Sequence, residues 1–176
     1  DRVSGMRGMK GSLYEGGHRV PCFLRGPAAL LGRARDLGAF TAHVDLLPTF
    51  IDLCGLQAPD RERLPLDGRS LRPLLSGEGA MTDLTLYLQN QNGNKGPVKE
   101  TRSVVLTSKW RLILNAPAAV ELYGIQDDRS QQRNCAGENP EVVQELLADY
   151  RIFYDGLRLD RPFERPILSA QAPLKL

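Results

Sequence analysis

The first half of the chain carries two hydrophobic patterns of different period. Residues 20–25 form a nearly continuous apolar run closed by a Gly-Pro pair, which predicts a strand buried on both faces of an α/β sheet. Residues 45–55 repeat apolar positions at helical spacing, and they predict a short helix with Asp45 as N-cap and Gly55 just past its end. The predicted apolar face of this helix consists of Leu46, Leu47, Phe50, Ile51 and Cys54.

Beyond Gly79 the pattern changes to short alternating segments. Strands are predicted at residues 84–88, 104–107, 110–114 and 120–123. The tight Ser108-Lys109 link favours an antiparallel meander. A helix is predicted to begin at Asn139 and Pro140, with a cap residue followed by a proline at the first helical position. Its apolar stripe is Val142, Val143, Leu146, Leu147, Tyr150, Phe153, Tyr154 and Leu157.

Composition limits the class of protein. The chain has 176 residues, of which 41% are hydrophobic and 25% charged, so it can bury the core of one domain or slightly more. No run approaches the roughly 20 apolar residues of a membrane span. The chain begins without Met and ends in an apolar alternating stretch at 167–176, so we expect a piece of a longer protein.

Charge and cysteine content exclude further classes. Residues 1–35 hold seven basic side chains against two acidic ones, and such an excess of positive charge can attract an anion. The excess is too small and the segment has too few aromatic residues to predict a nucleic-acid partner. The three cysteines are far apart and form no C-x-x-C pair, so neither a disulfide framework nor a structural zinc site is predicted. Cys22 and Cys54 are expected to be buried apolar fillers, and Cys135 to be exposed.

The most informative segment is the glycine-rich stretch around Lys10. Five glycines fall between residues 5 and 17, and a lysine among them supplies a compact charge with three donors, which suits a tetrahedral oxyanion. The segment does not match the nucleotide-binding patterns G-x-x-x-x-G-K-[ST] or G-x-G-x-x-G. A structural interpretation stays open, because Ser12-x-x-Glu15 has the spacing of a capping box. Local pairing of Glu15 with Arg19 is also predicted.

Other candidate chemistry is sparse. His18 has an ordinary pKa suited to proton transfer, although a histidine beside a strand is commonly structural. The amide-rich run 89–94 is typical of a loop or of the rim of a sugar-binding pocket. The chain contains no G-x-S-x-G or H-E-x-x-H motif and no cluster of Asp, Asn and His typical of a metal shell, so no metal ligand is predicted.

These residues carry a resemblance to a known family. The stretch Lys10-Gly11-Ser12-Leu13-Tyr14-Glu15-Gly16-Gly17-His18-Arg19-Val20-Pro21 resembles the second signature segment of the type I (formylglycine-dependent) sulfatases. The segment 43–49 follows at the expected distance, and 67–71 and 73–75 continue the pattern. Segments 110–113, 121–123 and 139–143 resemble the family's C-terminal subdomain, although Tyr123-Gly124-Ile125 and Asp127-Asp128 depart from its usual pairs.

The resemblance implies a fold and a domain division. The fold class would be α/β, with the C-terminal part of an alkaline-phosphatase-like sandwich followed by a small α+β subdomain that has an antiparallel sheet and a C-terminal helix. Residues 1–79 would then be the last part of the large domain, 80–158 the small subdomain, and 159–176 the start of a truncated extension.

The resemblance also implies an activity, hydrolysis of sulfate esters of the arylsulfatase type. Lys10 would be the catalytic, sulfate-contacting lysine, and His18 a second substrate-binding candidate. The formylglycine nucleophile and the calcium ligands of the family have no counterpart here, so the chain alone is predicted to be inactive and its partner to be the missing N-terminal part of the same protein. The substrate would be a sulfated small molecule or glycan, and export or a lysosomal location follows only by analogy.

Two other functions stay open at this point. A relative on the same fold acting on phosphate or phosphonate esters fits, because a lysine does not by itself distinguish one tetrahedral anion from another. A non-catalytic, sulfatase-like binding module also fits, because the chain itself contains no nucleophile motif.

Overall fold

The computed structural model describes residues 5–57, 65–79, 81, 83–90, 100–116 and 119–157. The elements, in chain order, are α1 (Glu15–His18), α2 (Ala28–Leu31), a 3₁₀ turn (His43–Asp45), α3 (Leu46–Leu53), α4 (Arg72–Ser76), β1 (Leu86–Gln89), β2 (Ser103–Leu106), β3 (Trp110–Ala116), β4 (Ala119–Gly124) and α5 (Pro140–Asp155). The predicted α/β class, with a small antiparallel sheet and a C-terminal helix, is confirmed.

The chain divides into two compact units. The first combines the residues up to Arg19 with those from Leu86 onward, and the second is Val20–Thr85. The predicted boundaries at residues 79 and 158 concern the domains of a longer protein and stay a prediction. Within this chain, however, the segment that contains Lys10 belongs to the same unit as the sheet.

The sheet is the predicted meander. Its strands run antiparallel in the order β1-β2-β3-β4. The link between β2 and β3 is as tight as its sequence predicts, since the Thr107 N–H donates to the Trp110 carbonyl at 2.9 Å. The Thr107 hydroxyl oxygen also accepts the Trp110 N–H at 2.9 Å, so the side chain closes the turn from within.

One face of the sheet packs on α5. Val105, Leu112 and Leu122 are directly paired across β2, β3 and β4, so their side chains share this face. They form a buried cluster with Leu114, Leu146 and Tyr150. The predicted helical stripe is confirmed from Val142 to Tyr154, since these members belong to this cluster or pack against it, whereas Leu157 lies beyond the end of α5. The buried Tyr150 hydroxyl donates to the Glu100 carbonyl at 3.0 Å and so joins the helix to the chain before β2.

The opposite face carries polar groups. Alternation along β3 and β4 turns Arg111, Glu121 and Tyr123 to this side, and Arg111 is directly paired with Tyr123. Residues 5–19 are called here the lysine segment. Side chains of this segment form hydrogen bonds with Arg111, Glu121 and Tyr123 on this face of the sheet. This second face therefore combines three polar side chains with the buried apolar residues Val104, Leu106 and Ile113.

In the second unit, the helix predicted at 45–55 is confirmed as α3, but its cap differs. Asp45 occupies the N-cap position without capping α3. Its buried carboxylate accepts the backbone N–H of Ala42 at 2.9 Å and that of Arg69 at 3.0 Å. Thr49 adds a second tie, because its hydroxyl donates to the Asp45 carbonyl and accepts the Leu71 N–H at 2.8 Å. A single acidic side chain therefore holds the start of α3 against the residues that lead to α4.

Several predictions about apolar positions are wrong. Residues 20–25 form no strand, and Val20 and Phe23 are 78% and 91% exposed. A strand needs a neighbour to pair its backbone, and no described residue pairs with this run. Leu47 and Phe50 are also exposed, so only part of the predicted face of α3 is covered.

The predicted burial of the three cysteines is wrong as well. Cys22 and Cys54 are exposed, because the apolar runs that carry them are not covered by other described residues. Cys135 is half-buried rather than exposed: it packs against the α5 cluster and its thiol donates to the Leu122 carbonyl at 3.2 Å. Segment 167–176, predicted as an apolar alternating stretch, lies outside the described residues. Among those that are described, no helix has the length and apolar character needed to cross a membrane.

Candidate anion-binding site

Lys10 lies at the corner of a β-turn formed by Met9–Ser12, called here the lysine turn. The Ser12 N–H donates to the Met9 carbonyl at 2.9 Å, and the Ser12 hydroxyl oxygen accepts the Met9 N–H at 3.2 Å. Gly11 has a φ of 84°, as the third position of a type II turn requires. The turn therefore places Lys10 at its second position, where it is exposed to solvent.

The glycines around the lysine turn allow close backbone packing. Gly8 has a φ of 85°, and a Cβ there would overlap the Ser12 hydroxyl. A Cβ at Gly16 would overlap the Gly8 carbonyl, and one at Gly17 would overlap the Ser12 carbonyl. The Gly16 N–H donates to the Arg7 carbonyl at 2.8 Å. The lysine turn therefore rests directly on the backbone of α1.

Glu15 anchors the end of the lysine segment to β3. Its buried carboxylate lies 2.5 Å from Nη2 of Arg111, whose side chain is 2% exposed. Nη1 of Arg111 donates to the Leu13 carbonyl at 2.9 Å. Burial lowers the pKa of Arg111, while the charge of Glu15 acts in the opposite direction. The pair thus compensates its charges inside the protein and holds the residues after the lysine turn.

Two predictions about Glu15 have different outcomes. Its predicted pairing with Arg19 is confirmed at 3.0 Å. The capping box with Ser12 is wrong, because the Glu15 N–H donates to the side-chain carbonyl of Gln131 at 2.6 Å. A buried side chain from the loop after β4 has taken the place of the local cap.

Arg7 anchors the start of the lysine segment. Its guanidinium lies 3.9 Å from the centroid of the Tyr14 ring, and Nη2 donates to the Tyr14 hydroxyl at 3.1 Å. Nη1 donates to the Tyr123 hydroxyl at 2.8 Å and to the Gln131 carbonyl at 3.0 Å. Both tyrosine hydroxyls in turn donate to the carboxylate of Glu121.

His18 lies at the end of α1, against the lysine turn. It is half-buried, and it forms a hydrogen bond to the Ser12 backbone. Burial lowers its pKa, and the positive charge of Arg111 adds to that effect. The imidazole is therefore neutral at pH 7. Its Nε2 atom is buried and has no hydrogen-bond partner among the described residues.

Asn90 contributes a further polar side chain to this region. Its amide nitrogen donates to the carbonyl of Gly11, the residue after Lys10. The amide-rich run 89–94 therefore reaches the lysine turn through Asn90. Residues 91–94 lie outside the described part of the chain.

Sequence reasoning missed most of the groups that hold the site. These are Arg7, Tyr14, Arg111, Glu121, Tyr123 and Gln131. One signal was present in the sequence, since Arg111 interrupts an apolar strand and shares a face with the polar positions of β4. Gln131 gave no signal, because its role depends on a φ of 51° in a loop.

The described residues do not form a metal centre. No group of three or more His, Cys, Asp or Glu side chains that could hold a metal ion occurs in them. The donors around Lys10 are instead cationic groups, hydroxyls and amides. Calcium is bound by six to eight oxygen ligands, commonly including carboxylates, and the described residues offer no such group.

Comparison with known proteins identifies the family. Residues 9–151 match the model of the family described as N-sulphoglucosamine sulphohydrolase, C-terminal. The chain belongs to this family, and the predicted membership among the sulfatases, as a C-terminal portion, is confirmed.

Relatives named as sulfatases agree with this assignment. Arylsulfatase K of Xenopus laevis is 26% identical over 154 residues, which cover 83% of this chain and 28% of that protein. Steryl-sulfatase of Mus musculus is 40% identical over 77 residues, covering 44% and 12%. Choline-sulfatase of Rhizobium meliloti is 29% identical over 151 residues, covering 84% and 28%. The chain thus spans less than a third of the length of these relatives.

A solved structure supports the fold. A Bacteroides thetaiotaomicron structure, described under the metabolism of multiple glycosaminoglycans, matches with a TM-score of 0.67 and 23% identity. The match covers 88% of this chain and 33% of that chain.

Proposed function

We propose that the protein containing this chain hydrolyses sulfate esters and that the chain supplies part of the anion-binding side of its active site. The observation that carries the proposal is the family match over residues 9–151. The matched range includes the lysine turn and the strands β3 and β4, on which the lysine segment is anchored. Lys10 would be the catalytic, sulfate-contacting group, and His18 a second substrate-binding group.

The chemistry of Lys10 suits this role. An exposed ammonium on a tightly packed turn offers three donors and one positive charge to a tetrahedral oxyanion. Negative charge develops on the departing oxygen during ester cleavage, and a preorganised cation beside the sulfate group lowers the free energy of that state. The two anchors on the sheet keep the turn in place before substrate arrives.

The chemistry of His18 is that of a neutral hydrogen-bonding group. Its lowered pKa keeps the imidazole uncharged at pH 7, so it adds no second cation beside Lys10. We therefore assign His18 to substrate positioning rather than to charge stabilisation.

The nucleophile and the metal are proposed to lie elsewhere in the longer protein. The resemblance implies that formylglycine is made from the Cys or Ser of a C-x-P-x-R or S-x-P-x-R motif, and the given sequence contains neither. The described residues contain no group that could hold a metal ion. We therefore assign neither group to this chain. The chain alone is expected to be inactive, and its partner is the N-terminal part of the same protein.

The proposed substrate is a sulfated small molecule or glycan. The names of the relatives include a choline-sulfatase and a Bacteroides N-acetylgalactosamine-6-O-sulfatase, so both substrate classes occur among proteins similar to this chain. We propose Asn90, whose amide donates to the carbonyl of the residue after Lys10, as a candidate contact for the alcohol part of such an ester.

Matched substrates test the proposal. The full-length protein is assayed with an aryl sulfate, an aryl phosphate and an aryl phosphonate monoester, and all three esters release the same phenol. We expect the largest kcat/KM for the sulfate. A preference for the phosphate or phosphonate would reassign the chain to ester hydrolysis at phosphorus. Binding of sulfate esters without turnover of any of the three would favour a non-catalytic module.

A further inference from the structure

We propose that Arg7 is a positioning residue for Lys10, an inference that rests on the proposed sulfate-binding role of that lysine. Arg7 precedes Lys10 by three residues and stands outside the lysine turn. Its guanidinium connects the start of the lysine segment to β4 and to the loop that follows β4. The role is to fix where the turn sits on the sheet, without contact to the reacting group.

The contacts of Arg7 form a closed network. The guanidinium donates to the hydroxyls of Tyr14 and Tyr123, and each of those hydroxyls donates to the carboxylate of Glu121. Nη1 of Arg7 lies 3.8 Å from Oε2 of Glu121, so the charges also attract directly. Each hydroxyl accepts one hydrogen bond and donates one, and the network leaves neither of them partly satisfied.

Tyr14 makes this network specific to the lysine segment. It lies two residues after the lysine turn, so Arg7 and Tyr14 bracket the turn from its two sides. The guanidinium stacks on the Tyr14 ring at 3.9 Å from its centroid, so the residues on the two sides of the turn contact each other directly. The raised pKa of Tyr123, about 12, keeps its hydroxyl protonated and able to donate at neutral pH.

The backbone of Arg7 transmits the same constraint. Its carbonyl accepts the Gly16 N–H at 2.8 Å, so moving Arg7 also moves the contact between the turn and α1. The hydrogen bonds within the lysine turn do not involve Arg7. Loss of the guanidinium should therefore displace the turn as a body and leave its internal conformation intact.

A lysine cannot replace Arg7 in this arrangement. The network needs a planar group that stacks on one ring while donating to three acceptors in fixed directions, and an ammonium on a flexible chain does neither. The variant Arg7→Lys keeps the positive charge and loses the planar guanidinium. It therefore distinguishes a positioning role from a purely electrostatic one.

The first test is kinetic. In the full-length protein, Arg7→Lys and Arg7→Met should both lower kcat, with a loss of up to about 100-fold for a displacement of about 1 Å. Guanidinium ion should restore part of the activity of Arg7→Ala, whereas ammonium ion should not. Arg133→Met is the matched control, since Arg133 forms an exposed ion pair with Glu138 on the same unit. Wild-type kcat for Arg7→Lys would overturn the proposal.

The second test does not depend on the reaction. Amide hydrogen exchange in Arg7→Met should become faster at Gly16, whose N–H donates to the Arg7 carbonyl. It should stay as in the wild type at Ser12, whose N–H donates within the turn, and at Val105 and Leu112 in the sheet. Unchanged exchange at Gly16 would overturn the positioning role. If the wild-type protein hydrolyses no sulfate ester, the proposed function fails, and the exchange result still decides whether Arg7 holds the turn.

Discussion

The carboxylate of Glu15 and the guanidinium of Arg111 form a buried ion pair across 96 positions of the chain, with Oε2 2.5 Å from Nη2. Glu15 follows the lysine turn, and Arg111 lies in the second position of β3. The pair is thus the point at which the glycine-rich segment and the sheet become one structure. It explains why the lysine segment belongs to the same compact unit as the meander.

Removing one partner of this pair should be strongly destabilising. Arg111→Met leaves the buried Glu15 carboxylate with the half-exposed Arg19 as its remaining ionic partner. We expect a loss of up to about 3–5 kcal/mol in the free energy of unfolding, the range for breaking a buried ion pair. The double variant Glu15→Gln with Arg111→Met should be less destabilised than the sum of the two single variants. Urea unfolding of all four proteins gives the coupling energy.

An exposed ion pair supplies the control for that cycle. Arg133→Met removes a partner of Glu138 on the surface and should change the unfolding midpoint little. A loss for Arg111→Met no larger than the loss for Arg133→Met would mean that Glu15 does not depend on its buried partner.

His18 should make stability depend on pH. Its pKa in the folded protein lies below 6.5, because burial and the charge of Arg111 disfavour the protonated form. The unfolded chain therefore binds the proton more tightly, so the stabilisation is present above pH 6.5 and is lost as the pH falls through the folded pKa. His18→Gln should lose less unfolding free energy than the wild type between about pH 7.5 and about pH 5. An equal pH dependence in both proteins would contradict the assignment.

The sequence was informative wherever local pattern decides structure. The four strands, their order and the start of α5 follow from alternation, a tight turn and a proline at the first helical position, and all of these are confirmed. The prediction of a strand at 20–25 was wrong, because an apolar run indicates only that a segment is suited to burial. It does not show whether the chain provides a neighbour.

The candidate site was predictable only in part. Lys10 and His18 stand out in a glycine-rich segment, and their roles stay predictions. The groups that hold this segment come from the sheet and from the loop after β4, more than 100 residues away in the case of Tyr123 and Gln131. Nothing local links Arg7 to Tyr123, since their contact depends on which face of β4 the lysine segment covers.

Two glycines of the lysine segment should respond differently to the same substitution. Gly11→Ala adds a side chain in open space, so its cost is that of a positive φ, about 1–2 kcal/mol. Gly8→Ala adds the same strain together with overlap on Ser12 and Tyr14, and it should be more destabilising. Gly137→Ala is the control, because Gly137 has neither a positive φ nor a near neighbour. Thermal unfolding of the three variants checks the order, and equal losses at Gly8 and Gly137 would refute the packing described for the turn.

The most direct measurement is the turnover of an aryl sulfate by the full-length protein carrying Lys10→Ala. We expect kcat/KM to fall by about 100- to 1,000-fold, as for loss of one preorganised donor at a developing negative charge. Lys109→Ala, which removes an exposed lysine from the β2–β3 link, is the matched control and should turn over like the wild type. Near-normal kcat/KM for Lys10→Ala would remove Lys10 from the reaction and contradict the account.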